Sequence, residues 1–355
     1  MARPITGTQR GQIHAIATRH RTALLRYERL AATTMVQHYG SAWQRLRESI
    51  TDMVSRYNAA VVAGEDISPS WLFQVGRWES LQRQVEMEMS RIIDVADMSI
   101  RGQQWNAVQS ALQQTTEKAI ATAGPAVMTT WSRLPVDAMT DLVGYLGNGS
   151  PLRTLLDELG TQASQQVRDA LVRGLQLGYS PRKVAGQVRQ AFGGNMARAL
   201  TVSRTEMMRA NREASLRQWK ANDRVFSGWR WVSGKTDRTC PMCLAMDGTV
   251  HSFDEHLDDH PNGGCTDVPV LRGREDEPAN WKTGDKWFEE QADATKRKIL
   301  GDPRYEAYKG GKLTLQDTIG QRTSQEWGSM HYARSLKEIL GEDQAKQFYK
   351  EIASD

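Results

Sequence analysis

Val36, Tyr39, Trp43, Leu46, Ile50, Met53, Tyr57 and Val61 recur at steps of three and four, in a stretch with no proline. Residues so spaced fall on one face of a helix, which predicts a single long helix over residues 20–63. A helix of that length is stable only where neighbours cover its apolar stripe. Aromatic residues at several seam positions point to packing within a bundle rather than to a two-stranded coiled coil. The stretch GEDISPS, Gly64 to Ser70, carries the Gly, Asp, Ser and Pro that end a helix.

The same periodicity predicts a second helix from Trp71 to near Ala96, with Trp78, Leu81, Val85, Ile92 and Ala96 as its stripe, and helical sequence on to Ala123. Gly124-Pro125 breaks it, and YLGNGSP (Tyr145 to Pro151) reads as a linker. Helical pattern resumes to Asn222, with Leu155, Leu156, Leu159, Val167, Leu171, Leu175 and Leu177 as apolar members. In GYSPRKV one helix ends at Gly178, while Ser180 and Pro181 suit the cap and first position of the next. Phe192 to Asn195, FGGN, reads as a further break. Beyond it Ser203, Met207, Ala210 and Ala214 share one face, small enough for another helix to approach closely.

After Asn222 the period changes. VFSGWRWV reads as a strand with Val225, Trp229 and Trp231 on one face and Phe226 and Val232 on the other. Asp247-Gly248 suits a hairpin turn and TVHSF a returning strand. CTDVPVL is a third strand that Pro269 confines to an edge. Helix returns at Lys286 to Leu300, and the polar stretch from Leu313 to Asp355 is expected to dock on a partner rather than build a core. The expected fold class is therefore mainly α with a small β unit (α+β). It has an elongated helical N-terminal region (1–150), a core of basic helices and the β unit (151–275), and an acidic helical tail (276–355).

Charge is distributed unevenly. Residues 181–235 hold twelve Lys and Arg against three Asp and Glu, whereas residues 236–355 hold sixteen against twenty-three. A basic block of this kind faces phosphates or an acidic partner, or is a solvated helix with local pairing. Arg198, Arg204, Arg209 and Arg212 are its candidate DNA- or partner-binding residues. No apolar run approaches the ~20 residues of a membrane span, and the basic N-terminus lacks the apolar segment of a secretory signal. A reducing cytoplasm is the expected compartment.

The three cysteines, Cys240, Cys243 and Cys265, all lie within one window of 26 residues. A Cys-x-x-Cys turn offers two thiolates to one ion, Cys265 a third, and tetrahedral zinc takes four ligands. His260 is best placed for the fourth, with His251 and His256 as spares, or a water completes the set. The competing readings are plain structural cysteines and a redox pair. The redox reading is disfavoured because the pair is not expected to open a helix in a βαβ context. A site with four protein ligands is structural, since no position stays open for a nucleophilic water.

SRTEMMRANREAS, WRWVSGKTDRTCPMCLAMDGTVHSF and HPNGGC, in that order, resemble the phage head morphogenesis proteins typified by protein F of phage Mu. Arg204, Thr205 and Glu206 match the family's Arg-Thr-Glu helix. Trp231, Asp237, Thr239, Cys240, Cys243, Asp247 and Gly248 match its strand and Cys-x-x-Cys turn, and His260, Pro261, Asn262 and Cys265 its closing element. Gly263 departs from the pattern, standing where many members carry another cysteine. The likeness covers about residues 165–318. It implies a minor head protein of the virion, inside the capsid near the portal vertex and in the host cytoplasm during assembly. The implied partners are the portal protein, the major capsid or scaffolding protein and double-stranded DNA bound without sequence preference. The rival reading is a metal-dependent ββα-type nuclease, suggested by Asp258 to Pro261 beside a Cys-x-x-Cys. It needs a second metal-holding residue near His260, and the next histidine is His331.

Overall fold

The computed structural model describes residues 7–65, 77–146, 149–177, 179–279 and 281–354. Helix α1 (Gly7–Val62) is the long helix expected, and α2 (Arg77–Ala123) runs unbroken to the residue before Gly124-Pro125. The expected start at Trp71 and the side chains of Trp78 and Leu175 lie outside the described residues. After the short α3 (Val136–Thr140) come α4 (Leu152–Gln176) and α5 (Pro181–Lys220). Ser180 caps α5, its hydroxyl accepting from the Lys183 amide at 3.4 Å. The chain divides into two compact units. The first takes in the chain up to Arg26, Gln104–Val143 and everything from Met207 onward; the second is Tyr27–Gln103 with Gly144–Glu206. The division falls inside the blocks 1–150 and 151–275, while 276–355 lies wholly in the first unit.

The second unit is a helical bundle. Tyr39, Leu46, Ile50 and Met53 of α1, Leu81, Val85 and Ile92 of α2, Val167 and Leu171 of α4, and Val184 and Val188 of α5 form one core. Each such aliphatic side chain contributes about 1.5–3 kcal/mol on full burial. Val36, Val61 and Leu177 were expected in stripes but are exposed; Val61 stands in the last turn of α1, and Leu177 lies one residue beyond the end of α4. Within the core layer Glu88 is buried and held by Arg45 (Nε–Oε1 2.7 Å) and Arg91 (Nη1–Oε1 3.1 Å).

FGGN does not break the chain: α5 continues through it. A glycine inside a helix costs about 1 kcal/mol relative to alanine, which flanking helix formers and packing can absorb. The glycines of the bundle divide into two kinds. A Cβ on Gly174 of α4 would meet Val184 of α5 at 2.7 Å, whereas one on Gly186, Gly193 or Gly194 would meet nothing within 4 Å.

In the first unit the small face of α5 does what its spacing promised. Ala210 and Ala214 pack on Val108 and Ala111 of α2, and Met207 on Leu24 of α1 and Ala107 of α2. Buried amides lock the contact: Gln114 donates to Asn211 Oδ1 at 2.9 Å, and Asn211 to the Ala107 carbonyl at 2.7 Å. A sheet of order β2-β1-β3 follows, built from β1 (Phe226–Val232), β2 (Val250–Ser252) and β3 (Thr266–Leu271), all antiparallel. Pro269 stands on the edge strand, opposite Trp229. Trp229 and Trp231 share one cluster and Phe226 packs edge-on to Trp219 at 5.3 Å. Val225 joins Phe226 rather than the tryptophans, because a bulge between Phe226 and Gly228 shifts the register. Lys118 of α2 is fully buried against β3, donating to the Asp267 carbonyl, and Trp219 Nε1 donates to Asp267 Oδ2 at 2.7 Å.

The C-terminal region corrects two expectations. Residues 286–300 form two helices, α7 (Gly284–Glu289) and α8 (Asp293–Leu300), followed by α9 (Asp302–Lys309). The last forty residues are not a bare helical tail. They contain a hairpin, β4 (Ile319–Ser324) with β5 (Gly328–Ala333), then α10 (Leu336–Leu340) and α11 (Glu342–Ser354). Leu313, Leu336, Ala345 and Phe348 close a core on Ala307 of α9. Among the described residues no helix is long and apolar enough to cross a membrane.

The glycine contrast is testable. Gly193→Ala should raise the thermal unfolding midpoint, by about 0.5–1 kcal/mol of stability. Gly174→Ala should lower it by about 1–3 kcal/mol, since the stiff Val184 side chain must give way. Differential scanning calorimetry of the two variants reads both signs.

Candidate metal centre

Strand β1 ends at Val232, and the chain turns back through Thr236, whose amide donates to Thr239 Oγ1 at 2.9 Å. That turn delivers Cys240 as the residue before a short helix, α6 (Pro241–Met246), with Pro241 at its first position. Cys243 is therefore on a helix, not on a turn, and the pair does open a helix. The setting is an antiparallel β unit rather than βαβ. The ground on which redox chemistry was disfavoured is thus only half met. The companion residues, rather than the absence of a helix, favour a metal.

Those companions come from the loop between β2 and β3. Cys240, Cys243 and His260 bring one ligand atom each within 4.8 Å of one another, and Cys243, Asp259 and Cys265 form an overlapping set. His260 Nε2 lies 3.4 Å from Cys243 Sγ, while its Nδ1 donates to the Pro261 carbonyl at 2.8 Å. A ring nitrogen committed to a carbonyl leaves the other as a lone-pair donor, the arrangement typical of metal-bound histidine. Cys240 is half-buried; Cys243 and Cys265 are buried. The hydrogen bond from Cys243, with His260 adding to it, holds the Cys240 thiol down to about 5 against the effect of burial. Cys243 is pushed up, by its hydrogen bonds to Cys240 and Cys265 and by burial. Burial pulls His260 down, but the Cys240 thiolate and Asp259 carry it up to about 10. Two thiols and an imidazole thus share protons that a divalent ion would displace. The residues fit zinc, held by Cys240, Cys243 and His260 with Cys265 nearest to completing the set.

Asp259 is the part the sequence did not disclose. Its carboxylate is wholly buried. Oδ1 accepts from the His260 amide at 2.9 Å, and Oδ2 from the Cys265 amide at 3.0 Å and Arg212 Nη2 at 2.8 Å. With both oxygens occupied by N–H donors it acts as the brace of the ligand loop rather than as a ligand. Burial works to raise Asp259, but Arg212 and His260 outweigh it and hold the carboxyl low. The glycine at 263 follows from this brace. A Cβ there would stand 2.2 Å from the Asp259 carboxyl, so no cysteine side chain fits.

The four candidate arginines part company. Arg212 is buried and also donates to the carbonyls of Cys265 (2.9 Å) and Gly263 (3.0 Å). Arg209 donates to the Trp327 carbonyl at 2.8 Å, Arg204 is half-buried, and Arg198 is exposed. The spare histidines point elsewhere. His251 stacks on Trp229 at 4.3 Å and bonds Glu255, and His256 bonds Glu213. His331, the second histidine a ββα nuclease would need, packs edge-on to Trp231 at 5.6 Å and donates to the Asp258 carbonyl. Among the described residues the groups able to hold a metal do not bring it to His260. Asp247 is likewise internal, accepting from Ser233 at 3.1 Å and Trp281 at 3.0 Å.

Residues 165–266 match the family described as phage Mu protein F like protein. The matched segment runs from within α4 to the first residue of β3. It contains Arg212, both cysteines of the pair, Asp259, His260 and Cys265. No curated protein and no solved structure matches the chain. The likeness read beyond residue 266 in the sequence lies outside the matched segment.

Metal analysis of the purified protein should find a single zinc per chain, lost in Cys240→Ser and in His260→Ala. In metal-free protein the Cys240 thiolate should alkylate at a rate that is already near its plateau at pH 7, since its pKa lies well below, and zinc should suppress the reaction. Arg212→Gln leaves a buried carboxylate uncompensated and should destabilise by about 3–5 kcal/mol in chemical denaturation.

Proposed function

We propose that this chain is a structural head protein of a phage, acting at the portal vertex during head assembly and genome packaging or ejection. The match of residues 165–266 to the phage Mu protein F like family carries the reading. The geometry of the matched segment supports it. Its distinctive polar residues point inward and hold chain to chain: Arg212 to Asp259, Trp219 to Asp267, Asp247 to Trp281. The thiol cluster has four protein donors and serves as a clamp between α6 and the loop preceding β3, the chemistry of a structural zinc site rather than of a hydrolytic one. The expected partners are the portal protein and the major capsid or scaffolding protein. The polypeptide is expected inside the virion.

Immunogold labelling of opened particles should place the protein at a single vertex, and the full-length chain should co-purify with the portal protein of the same phage. Purified particles that lack the polypeptide would overturn the proposal. Turnover of plasmid by the zinc-loaded protein, abolished by His260→Ala, would favour the nuclease instead.

A further inference from the structure

Arg21 of α1 is half-buried, and its Nε is buried without a hydrogen-bond acceptor. Among the described residues no carboxylate pairs with its guanidinium. The side chain rests against two glycines. A Cβ on Gly234 would stand 2.7 Å from Arg21 Cζ, and one on Gly264 would stand 3.2 Å from Arg21 Nε. Neither glycine has a positive φ, so the backbone does not call for glycine at either place. What both supply is room for the guanidinium. Gly264 directly precedes Cys265, and Gly234 lies on the stretch between β1 and Cys240. The cation is thus wedged between the two chain segments that deliver the sulfurs. Trp231 Nε1, in the cluster that holds Cys243 and Cys265, is likewise buried without an acceptor. Donors withdrawn from water and left unmet are unfavourable, and here two of them adjoin one group of thiols.

We infer that Arg21 supports the metal centre by balancing the negative charge that its sulfurs carry once an ion is bound. Metal binding turns thiols into thiolates. Three thiolates and a neutral imidazole around Zn²⁺ leave one negative charge, in a place largely withdrawn from water. The other cations nearby are committed: Arg212 is matched by Asp259, and Lys235 by Asp247. Arg21 lacks such a counter-charge among the described residues, and the thiolates supply one. A thiolate also accepts N–H donors more strongly than a neutral thiol does, which suits both Arg21 and Trp231. A docking role toward an outside acidic partner is disfavoured, because the Nε edge of the guanidinium is shut off from solvent. Arg21 stands outside residues 165–266, the segment matched to the family, so the compensating charge comes from the N-terminal helix. The inference rests on the metal reading of the cysteine cluster and is independent of the head-protein reading.

The test is zinc affinity of the full-length protein, read by competition with a chromogenic chelator. Arg21→Gln should weaken zinc binding by about 10- to 100-fold, the usual cost of losing a group that supports metal ligands from behind. Arg21→Lys, which keeps the charge, should recover most of the affinity. Arg19→Gln, two residues away on α1 and paired with Glu117, should bind zinc as the parent does. In the cobalt-substituted protein the sulfur-to-metal charge-transfer band should move to longer wavelength in Arg21→Gln, because loss of a nearby cation raises the sulfur lone pairs in energy. It should stay near the parent position in Arg21→Lys. The melting temperature of metal-free Arg21→Gln should equal or exceed that of the metal-free parent, since an unmatched buried donor is removed. A lower metal-free melting temperature with unchanged zinc affinity would make Arg21 a packing residue and overturn the inference. Equal loss of affinity in the Gln and Lys variants would overturn it too. Zinc binding by Arg21→Gln as tight as in the parent would sink the inference and leave the metal centre standing. A parent that binds no zinc would remove both and leave the head-protein reading untouched.

Discussion

The guanidinium of Arg212 organises the matched segment. It leaves α5, crosses to the loop before β3, and supplies hydrogen bonds to the Asp259 carboxylate and to the carbonyls of Gly263 and Cys265. The loop it reaches, His260 to Gly264, contains no large apolar side chain that could anchor it by burial. The Gly263 carbonyl is nonetheless buried, where unsatisfied it would cost about 1–3 kcal/mol. A planar fork with five donors answers several acceptors at once, which a lysine or an apolar residue could not. A buried ion pair is not in itself a gain over apolar packing. Here it is retained because the chain around it is polar and must be held in one conformation.

That conformation is what the thiols require. Asp259 receives Arg212 on one oxygen and the His260 amide on the other, so the brace and the ligand histidine are adjacent in sequence and rigidly coupled. Asn262 sits at φ 63° and Gly263 leaves no room for a side chain, which lets the loop fold back tightly enough for Cys265 to approach Cys243. The thiol cluster and the salt bridge therefore meet in one loop. An ion held by the cysteines and His260 would fix that loop to α6, as Arg212 fixes it to α5.

Long helices were legible because a 3.6-residue stripe survives over many turns, and Leu46, Ile50, Val85 and Leu171 are buried as their spacing indicates. Local punctuation was less reliable. Gly193-Gly194 looks like a break, yet cooperative helix on both sides carries the chain through. The β4–β5 hairpin was invisible because Gln321, Arg322 and Thr323 are exposed polar residues, so no apolar alternation marks the strand. At the site, Cys240, Cys243, His260 and Cys265 could be read from spacing. Asp259 could not, because a carboxylate that accepts amide bonds has no fixed offset from what it braces. Arg212 was read as surface charge, since composition gives the sign of a side chain but not its burial.

The separation of α5 into differently used stretches resolves what a basic block means in this chain. Positive charge summed over residues 181–235 mixes groups with opposite fates. Beyond Glu206 the arginines face backbone carbonyls and carboxylates of their own unit, as Arg209, Arg212 and Arg217 show, and that charge is spent internally. Before it, Arg182 and Arg189 lie on an exposed arc free of acidic residues. A field strong enough to attract a polyanion depends on charge that is both exposed and uncompensated nearby. The effective basic surface is therefore shorter than the sequence block and displaced toward its N-terminal end.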